Sequence, residues 1–294
     1  RAGGVTGAMG QSASEVPRDV EEGVRTVVCV HGLASCALVG TTQGGSHAFL
    51  CDHCDSDEER RLLFISISQL AKRPHVVKGL GLQWEAAVSA DQVETMRTSD
   101  GYNGMQVFPV EGLEGIRTLN PGMESNVTPI LLWHALIEHL SPDVNVTAFN
   151  YDWRRWGDLL YVAQLLPRFQ RHIEAAAAVS RQPVVVVGHS LGAQVVNYML
   201  GVLGENWTKS NISDLVLVGP ANMGSPSMFA AYANGPSTVV HTSVIPVADM
   251  LEIRLRDVAS TWPGMLACLP TKLCDVDVFD GHPMAVSPER RYST

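Results

Sequence analysis

Four short runs of apolar, mostly β-branched residues stand out along the chain: Thr26–Val30 (TVVCV), Val144–Asn150 (VNVTAFN), Val184–Val187 (VVVV) and Asp214–Val218 (DLVLV). Unbroken runs of this length suit strands that are buried on both faces. Between them, apolar positions recur at helical spacing. Residues 130–140 carry Ile130, Trp133, His134, Ile137 and His139 on or near one stripe, and 158–180 reads as a long helix with an Ala-rich end. Beyond Ser190, the residues Leu191, Val195, Val196, Met199 and Leu200 line one helical face. Strands and helices therefore alternate through 26–226, which predicts an α/β fold with a mostly parallel sheet and helices on both faces.

Elsewhere the pattern is weaker. Residues 62–71 (LLFISISQLA) are apolar without a period that separates strand from helix. Residues 75–125 are Gly-rich and poorly periodic, with short strands expected at Met105–Val110 and Gly115–Leu119. Residues 227–260 read as partly helical, and 261–294 have no strong period.

The third apolar run leads into Gly188-His189-Ser190-Leu191-Gly192 and then directly into a helix. Strand, G-x-S-x-G and helix in that order form a nucleophile elbow, with the serine on a strained turn above the sheet. A Cβ at Gly188 or Gly192 would crowd the strand and helix around that turn. Ser190 is the candidate nucleophile. The Leu191 N–H, at the start of the helix, is aimed at a developing oxyanion. The first run leads into His31-Gly32-Leu33-Ala34-Ser35. A Gly-containing loop after an early strand is where α/β-hydrolases place the second oxyanion donor, so the Leu33 N–H is the partner candidate.

Composition narrows the classes. Apolar residues make up 46% of the 294, enough for a sizeable core. The net charge of −9 argues against a nucleic-acid partner, because phosphate neutralisation needs a basic face. Lipid remains compatible, since it is engaged through apolar surface. No apolar run approaches the roughly 18 residues needed to span a bilayer. Residues 1–23 are polar and Gly/Ser-rich, and read as a disordered lead-in or the edge of a fragment. Of the six cysteines, Cys29 falls in a buried strand, whereas Cys36, Cys51, Cys54, Cys268 and Cys274 fall in loops and could pair. Cys51 and Cys54 have C-x-x-C spacing, but nothing completes a zinc site, and no metal is expected. Sequons at Asn126, Asn145, Asn206 and Asn211 suggest a glycoprotein of the secretory pathway, lumenal or extracellular.

Asn150-Tyr151-Asp152-Trp153-Arg154 follows the second run, upstream of the elbow. Y-D-W-R there resembles the lecithin:cholesterol acyltransferase-like family of α/β-hydrolases, a group that takes in lysosomal phospholipase A2 and the phospholipid:diacylglycerol acyltransferases. Gly112-Leu113-Glu114-Gly115-Ile116-Arg117, closing on Pro121-Gly122, is similar to another family segment. So are Gly219–Pro226, after the elbow helix, and Leu255–Pro270 (LRDVASTWPGMLACLP), in the family's cap region. The resemblance covers residue 26 to about 275 and implies an α/β-hydrolase core with lid and cap over a lipid-binding cleft. It implies acyl transfer from a glycerophospholipid or other lipid ester to water or an alcohol, without a cofactor, with a membrane or lipoprotein surface as a candidate partner. The resulting division is a lead-in at 1–23, a core at 24–226 with a lid insertion near 50–125, and a cap region and tail at 227–294. Trp84 falls where the family keeps its lid. Leu33 follows His31-Gly32 where the family more often has Pro-Gly. The Asp152/Arg154 pair is expected to be scaffold.

The acid and base that would activate Ser190 are harder to place. In this fold the triad runs Ser, then Asp or Glu, then His. Beyond Ser190 stand Asp214, Asp249, Asp257, Asp275, Asp277 and Asp280, with His241 and His282. Asp214 begins a strand, at the wrong end of the sheet for a site at the carboxyl ends. Asp280 and His282 are too close in sequence to be divided by a strand and helix. The resemblance implies that both groups come after the cap region, so the sequence reads as a fragment of the fold lacking its last strands. A compact serine esterase using His282 or His241, and a non-catalytic hydrolase-fold binding protein, remain as alternatives.

Overall fold

The computed structural model describes residues 23–42, 61–64, 78–88, 94–100, 105–119, 132–234, 256–270, 285–286 and 291–292. Its strands are β1 (Thr26–Val30), β2 (Leu38–Thr42), β3 (Arg61–Phe64), β4 (Leu82–Val88), β5 (Glu94–Asp100), β6 (Met105–Pro109), β7 (Asn145–Phe149), β8 (Val184–His189), β9 (Ile212–Val218) and a short antiparallel pair, β10 (Ala285–Val286) and β11 (Arg291–Tyr292). Its helices are α1 (Glu114–Arg117), α2 (His134–Leu140), α3 (Leu159–Ser180), α4 (Leu191–Leu203), α5 (Glu205–Asn211), α6 (Pro226–Asn234) and α7 (Pro263–Leu266).

The four apolar runs become one parallel sheet in the order β7-β1-β8-β9. Every residue of β1 and β7 is buried, as continuous apolar runs require when both faces of a sheet are covered. On α3, Leu165, Phe169, Ile173 and Ala176 recur at helical spacing and are buried. Its N-terminus is capped by Asp158, whose carboxylate accepts from the Leu160 and Tyr161 N–H groups at 3.0 Å each. Its C-terminus ends on Arg181 in the left-handed region. The sheet's edge strand, β9, leaves Leu215, Val216 and Val218 exposed.

A smaller antiparallel sheet, β3-β2-β6, and a two-stranded ribbon, β4-β5, are added to this core. The ribbon lies within the stretch that reads as Gly-rich and aperiodic. Residues 114–117 form one helical turn, not the short strand expected at Gly115–Leu119. Ile116 is buried, and the Gly115 carbonyl accepts from the Ala37 N–H at 2.8 Å. A run this short does not distinguish a strand from a buried helical turn.

The cysteine expectation also needs correcting. Cys29, Cys36 and Cys268 are all buried free thiols; Cys36 and Cys268 lie in loops as expected, but they are packed and unpaired. Burial pushes the Cys29 and Cys268 thiols up to about 12. Cys51, Cys54 and Cys274 lie outside the described residues, as does Asn126. Asn145 is buried at the start of β7 and donates to the Val24 carbonyl at 3.2 Å, so it is closed to glycosylation in the folded chain. Asn206 is exposed on α5, and Asn211 is half-buried.

Candidate active site

The sequence G-H-S-L-G turns sharply between β8 and α4. Ser190 sits at φ +53° and ψ −120°, a conformation that L-residues adopt only when the surroundings enforce it. The enforcement is visible. The Ser190 N–H donates to the Val218 carbonyl at 2.9 Å, and its carbonyl accepts from Ala193 N–H at 3.1 Å and Ala221 N–H at 3.3 Å. A Cβ on Gly192 would fall 2.2 Å from the Val30 carbonyl oxygen and 2.4 Å from that of His31. One on Gly188 would fall 2.8 Å from the Ala193 Cα. The glycines let α4 seat directly on the ends of β1 and β8, which lifts Ser190 to the carboxyl edge of the sheet.

The β1 loop meets the elbow there. A Cβ on Gly32 would stand 3.0 Å from the Ser190 Cβ and 3.1 Å from the His189 carbonyl oxygen. Leu33 therefore follows a residue in contact with Ser190, while Leu191 begins the helix behind it. Ser190 and Leu191 are adjacent in the elbow, and the loop that carries Leu33 borders Ser190 at Gly32. The loop is tight: Ala34 has φ +55°, the Gly32 carbonyl accepts from Ser35 N–H at 3.3 Å, and Ser35 Oγ donates to the Leu33 carbonyl at 3.1 Å.

Two histidines flank the serine. His189 is exposed, with its ring edge-on to Trp133 at 6.0 Å, and partial burial lowers its pKa. His31 is fully buried, which lowers it to about 4 and keeps it neutral. Among the described residues, none hydrogen-bonds the Ser190 hydroxyl. His241, His282, Asp249, Asp275, Asp277 and Asp280 lie outside them. Asp214 is exposed near the start of β9, at the end of the strand remote from Ser190, as expected. Among the described residues there is no cluster of potential metal ligands.

The Y-D-W-R segment forms the wall beside the elbow. Asp152 and Arg154 are buried together, with Arg154 Nε donating to Oδ1 at 2.9 Å and Nη2 to Oδ2 at 2.6 Å. Arg154 also donates to Asp100 Oδ1 at 2.9 Å and to the Leu80 carbonyl at 3.1 Å. Burial opposes its charge, but the two carboxylates hold it firmly protonated. The expectation of a scaffolding ion pair fits this geometry, although the pair fastens more than its own loop. It binds the β4–β5 ribbon through Asp100. Arg155 and Asp158 bind the same ribbon at Thr98, whose N–H and hydroxyl donate to Asp158 Oδ2 at 2.8 and 2.7 Å. Trp84 Nε1 donates to the Thr261 carbonyl at 2.9 Å, joining the ribbon to residues 256–270.

Sequence reasoning passed over Gln194. One turn beyond Ser190, it accepts from Trp156 Nε1 at 2.9 Å and donates to the carbonyls of Ala221 at 3.2 Å and Ala267 at 3.0 Å. Gln194 and Asn197, the two polar side chains in an otherwise apolar run after Ser190, were the available signal.

A parallel sheet carrying a serine on a strained strand-to-helix turn is an α/β-hydrolase core. The lecithin:cholesterol acyltransferase family model matches residues 86–279, and the chain belongs to that family. It is 26% identical to the phospholipid:diacylglycerol acyltransferase of Schizosaccharomyces pombe, over 37% of this chain and 19% of that protein. It is 26% identical to the putative phospholipid:diacylglycerol acyltransferase 2 of Arabidopsis thaliana, over 72% of this chain and 33% of that protein. The chain thus spans between about a fifth and a third of the length of these curated relatives.

Proposed function

We propose that the protein is a serine-dependent lipid acyl hydrolase or O-acyltransferase that forms an acyl-enzyme at Ser190. Ser190 Oγ adds to the carbonyl carbon of a glycerolipid ester and passes its proton to a general base. The carbonyl oxygen, now an oxyanion, sits against the N–H groups of Leu33 and Leu191. The bond to the glycerol oxygen then breaks, and that oxygen takes the proton as it leaves. Water or an acceptor alcohol releases the acyl group by the same steps in reverse.

The observation that carries this reading is the strained backbone of Ser190, held at φ +53° by Gly192 seated on the carbonyls of Val30 and His31. Strain of this kind costs about 1–3 kcal/mol and persists where function requires it. The choice of a lipid ester rests on family membership and on the relatives' names, which specify phospholipid and diacylglycerol. In this reading residues 24–226 are the catalytic core with a lid insertion near 50–125, and 227–294 are the cap region and tail. The sequons at Asn206 and Asn211 fit a secreted or lumenal enzyme that meets its substrate at a lipid surface.

The test is fluorophosphonate labelling of the full chain with Ser190→Ala as control. Label on Ser190 that disappears in the variant would show an activated serine, with a working base inside these 294 residues. Label that persists in Ser190→Ala would refute the nucleophile. No label on a folded chain would leave a fragment of the fold without its acid and base, or a non-catalytic hydrolase fold. Release of fatty acid from phospholipid dispersions, with little from short soluble esters, would support the lipid assignment over a small-ester esterase.

A further inference from the structure

We infer that His31 is a positioning residue for the oxyanion hole: its ring Nδ1–H holds the Gly32 carbonyl and thereby fixes the direction of the Leu33 N–H beside Ser190. The inference rests on the reading of Ser190 as nucleophile and adds to it a residue that touches neither substrate nor serine hydroxyl.

The argument begins with the tautomer. His31 Nε2 lies 3.3 Å from the Tyr151 backbone nitrogen, which can only donate. Nε2 therefore accepts, and a neutral ring that accepts at Nε2 carries its proton on Nδ1. Complete burial keeps the ring neutral. Nδ1 lies 3.0 Å from the Gly32 carbonyl oxygen, so it donates there.

The second step is the planarity of the peptide. The Gly32 carbonyl and the Leu33 N–H belong to one trans unit and point in opposite directions. Holding the oxygen therefore sets the N–H. The oxygen is held twice, by His31 Nδ1–H and by the Ser35 N–H at 3.3 Å. A Cβ on Gly32 would lie 3.0 Å from that of Ser190, so the peptide being aimed borders the reacting atoms. Glycine leaves the 32–33 peptide freer to rotate than any other residue would. The external hold removes that freedom before substrate arrives, which is what preorganised oxyanion stabilisation demands.

The third step is what fixes His31 itself. Its ring stacks on Tyr151 with centroids 4.3 Å apart and planes 12° off parallel. The Tyr151 hydroxyl donates to the His31 carbonyl at 2.9 Å. Tyr151, the first residue of Y-D-W-R, thus grips the β1 loop at both backbone and ring, while the rest of that motif grips the β4–β5 ribbon.

The test compares inactivation by a fluorophosphonate at several concentrations in the full chain, separating reagent affinity from the rate of phosphonylation. His31→Phe keeps the ring stack and removes the donor. His31→Asn returns a donor to the same place. The phosphonylation rate is expected to fall at least about tenfold in His31→Phe, less than the roughly 10²–10³-fold of deleting a donor outright. Reagent affinity should stay close to wild type, His31→Phe should melt a few degrees lower because the buried Tyr151 N–H loses its acceptor, and His31→Asn should recover most of the rate. Equal rates in wild type and His31→Phe would overturn the role, as would an Asn variant as slow as Phe. A folded wild-type chain without label at Ser190 would mean that no working base lies within these 294 residues, and the ring tautomer then decides the inference. A readout independent of folding uses the unmodified protein. Long-range 1H–15N spectra should show the His31 proton on Nδ1, and a proton on Nε2 would overturn the inference.

Discussion

The guanidinium of Arg154 meets the carboxylate of Asp152 through two parallel hydrogen bonds, at 2.9 and 2.6 Å, and neither side chain reaches solvent. A buried pair of this kind returns little net stability while intact, but breaking it strands a charge. Arg154→Ala leaves Asp152 buried without its counter-ion and frees Asp100 and the Leu80 carbonyl. It should cost about 3–5 kcal/mol in urea denaturation. Arg154→Lys should recover little of that, because an ammonium cannot reproduce the planar fork.

Strain at Ser190 predicts an unusual ordering of two inactive variants. Glycine adopts φ +53° without the Cβ clash that alanine retains. Ser190→Gly should therefore be more stable than Ser190→Ala by about 1 kcal/mol, a shift of roughly 2–4 °C in melting temperature for a domain of this size. Neither should take a fluorophosphonate label. Equal melting temperatures would mean that the turn is relaxed.

Two glycines of the same helix should respond in opposite ways to alanine. At Gly192 the new methyl would overlap the backbone carbonyls of Val30 and His31, neither of which is a flexible side chain. Gly192→Ala should cost at least about 3 kcal/mol or prevent folding. At Gly201 a Cβ meets nothing within 4 Å, and the helix gains propensity. Gly201→Ala should stabilise by about 0.5–1 kcal/mol.

Burial lowers both His31 and His172 to about 4, with Arg168 adding to the effect at His172. An unfolded histidine takes up a proton near pH 6.5, whereas these two remain neutral until about pH 4. Between those values the unfolded chain binds more protons, so stability falls as pH drops from 6.5 towards 4 and is flat above 7. At pH 5 each histidine should cost about 2 kcal/mol relative to pH 7. His172→Phe removes one of them: its ring would still pack on Phe149, 5.7 Å away in the native protein, and the buried Nε2, which lacks a partner, disappears. The pH 5 to pH 7 difference in denaturation free energy should shrink by about that amount.

The elbow was legible because its determinants are local. Val184–Val187 ask for a buried strand, Gly188 and Gly192 for close approach, and Leu191 to Leu200 for a helix, all within one short stretch. The β1 loop was legible for the same reason. The β4–β5 ribbon was not. Its strands are LQWEAAV and ETMRTSD, the second almost wholly polar, and nothing in their alternation announces a sheet. They are held from outside, by Arg154 on Asp100, Asp158 on Thr98, and Thr261 Oγ1 accepting from the Leu82 N–H at 3.0 Å. Asp158 shows the same gap: its helix-capping role follows from sequence position, but its grip on Thr98, 60 residues away, does not. Burial works to raise the pKa of that carboxylate, and the hydrogen bonds from Thr98, Tyr161 and Arg155 outweigh it.

The Leu80 carbonyl accepts from Arg154 Nη1 at 3.1 Å and from Trp262 Nε1 at 2.7 Å, the second partner lying 182 residues along the chain. This meeting point has a consequence in time. During synthesis, roughly a hundred residues separate the emergence of Arg154 from that of Trp262, or about 5–20 s at ordinary translation rates. Through that interval the Tyr151–Arg155 turn exists without one of its walls, and Trp153 waits for the indole of Trp262 that will pack edge-on against it. Closing so long a loop is slow and comes late. All four strands of the core sheet emerge before Trp262, so the wall beside Ser190 should close after the sheet has formed.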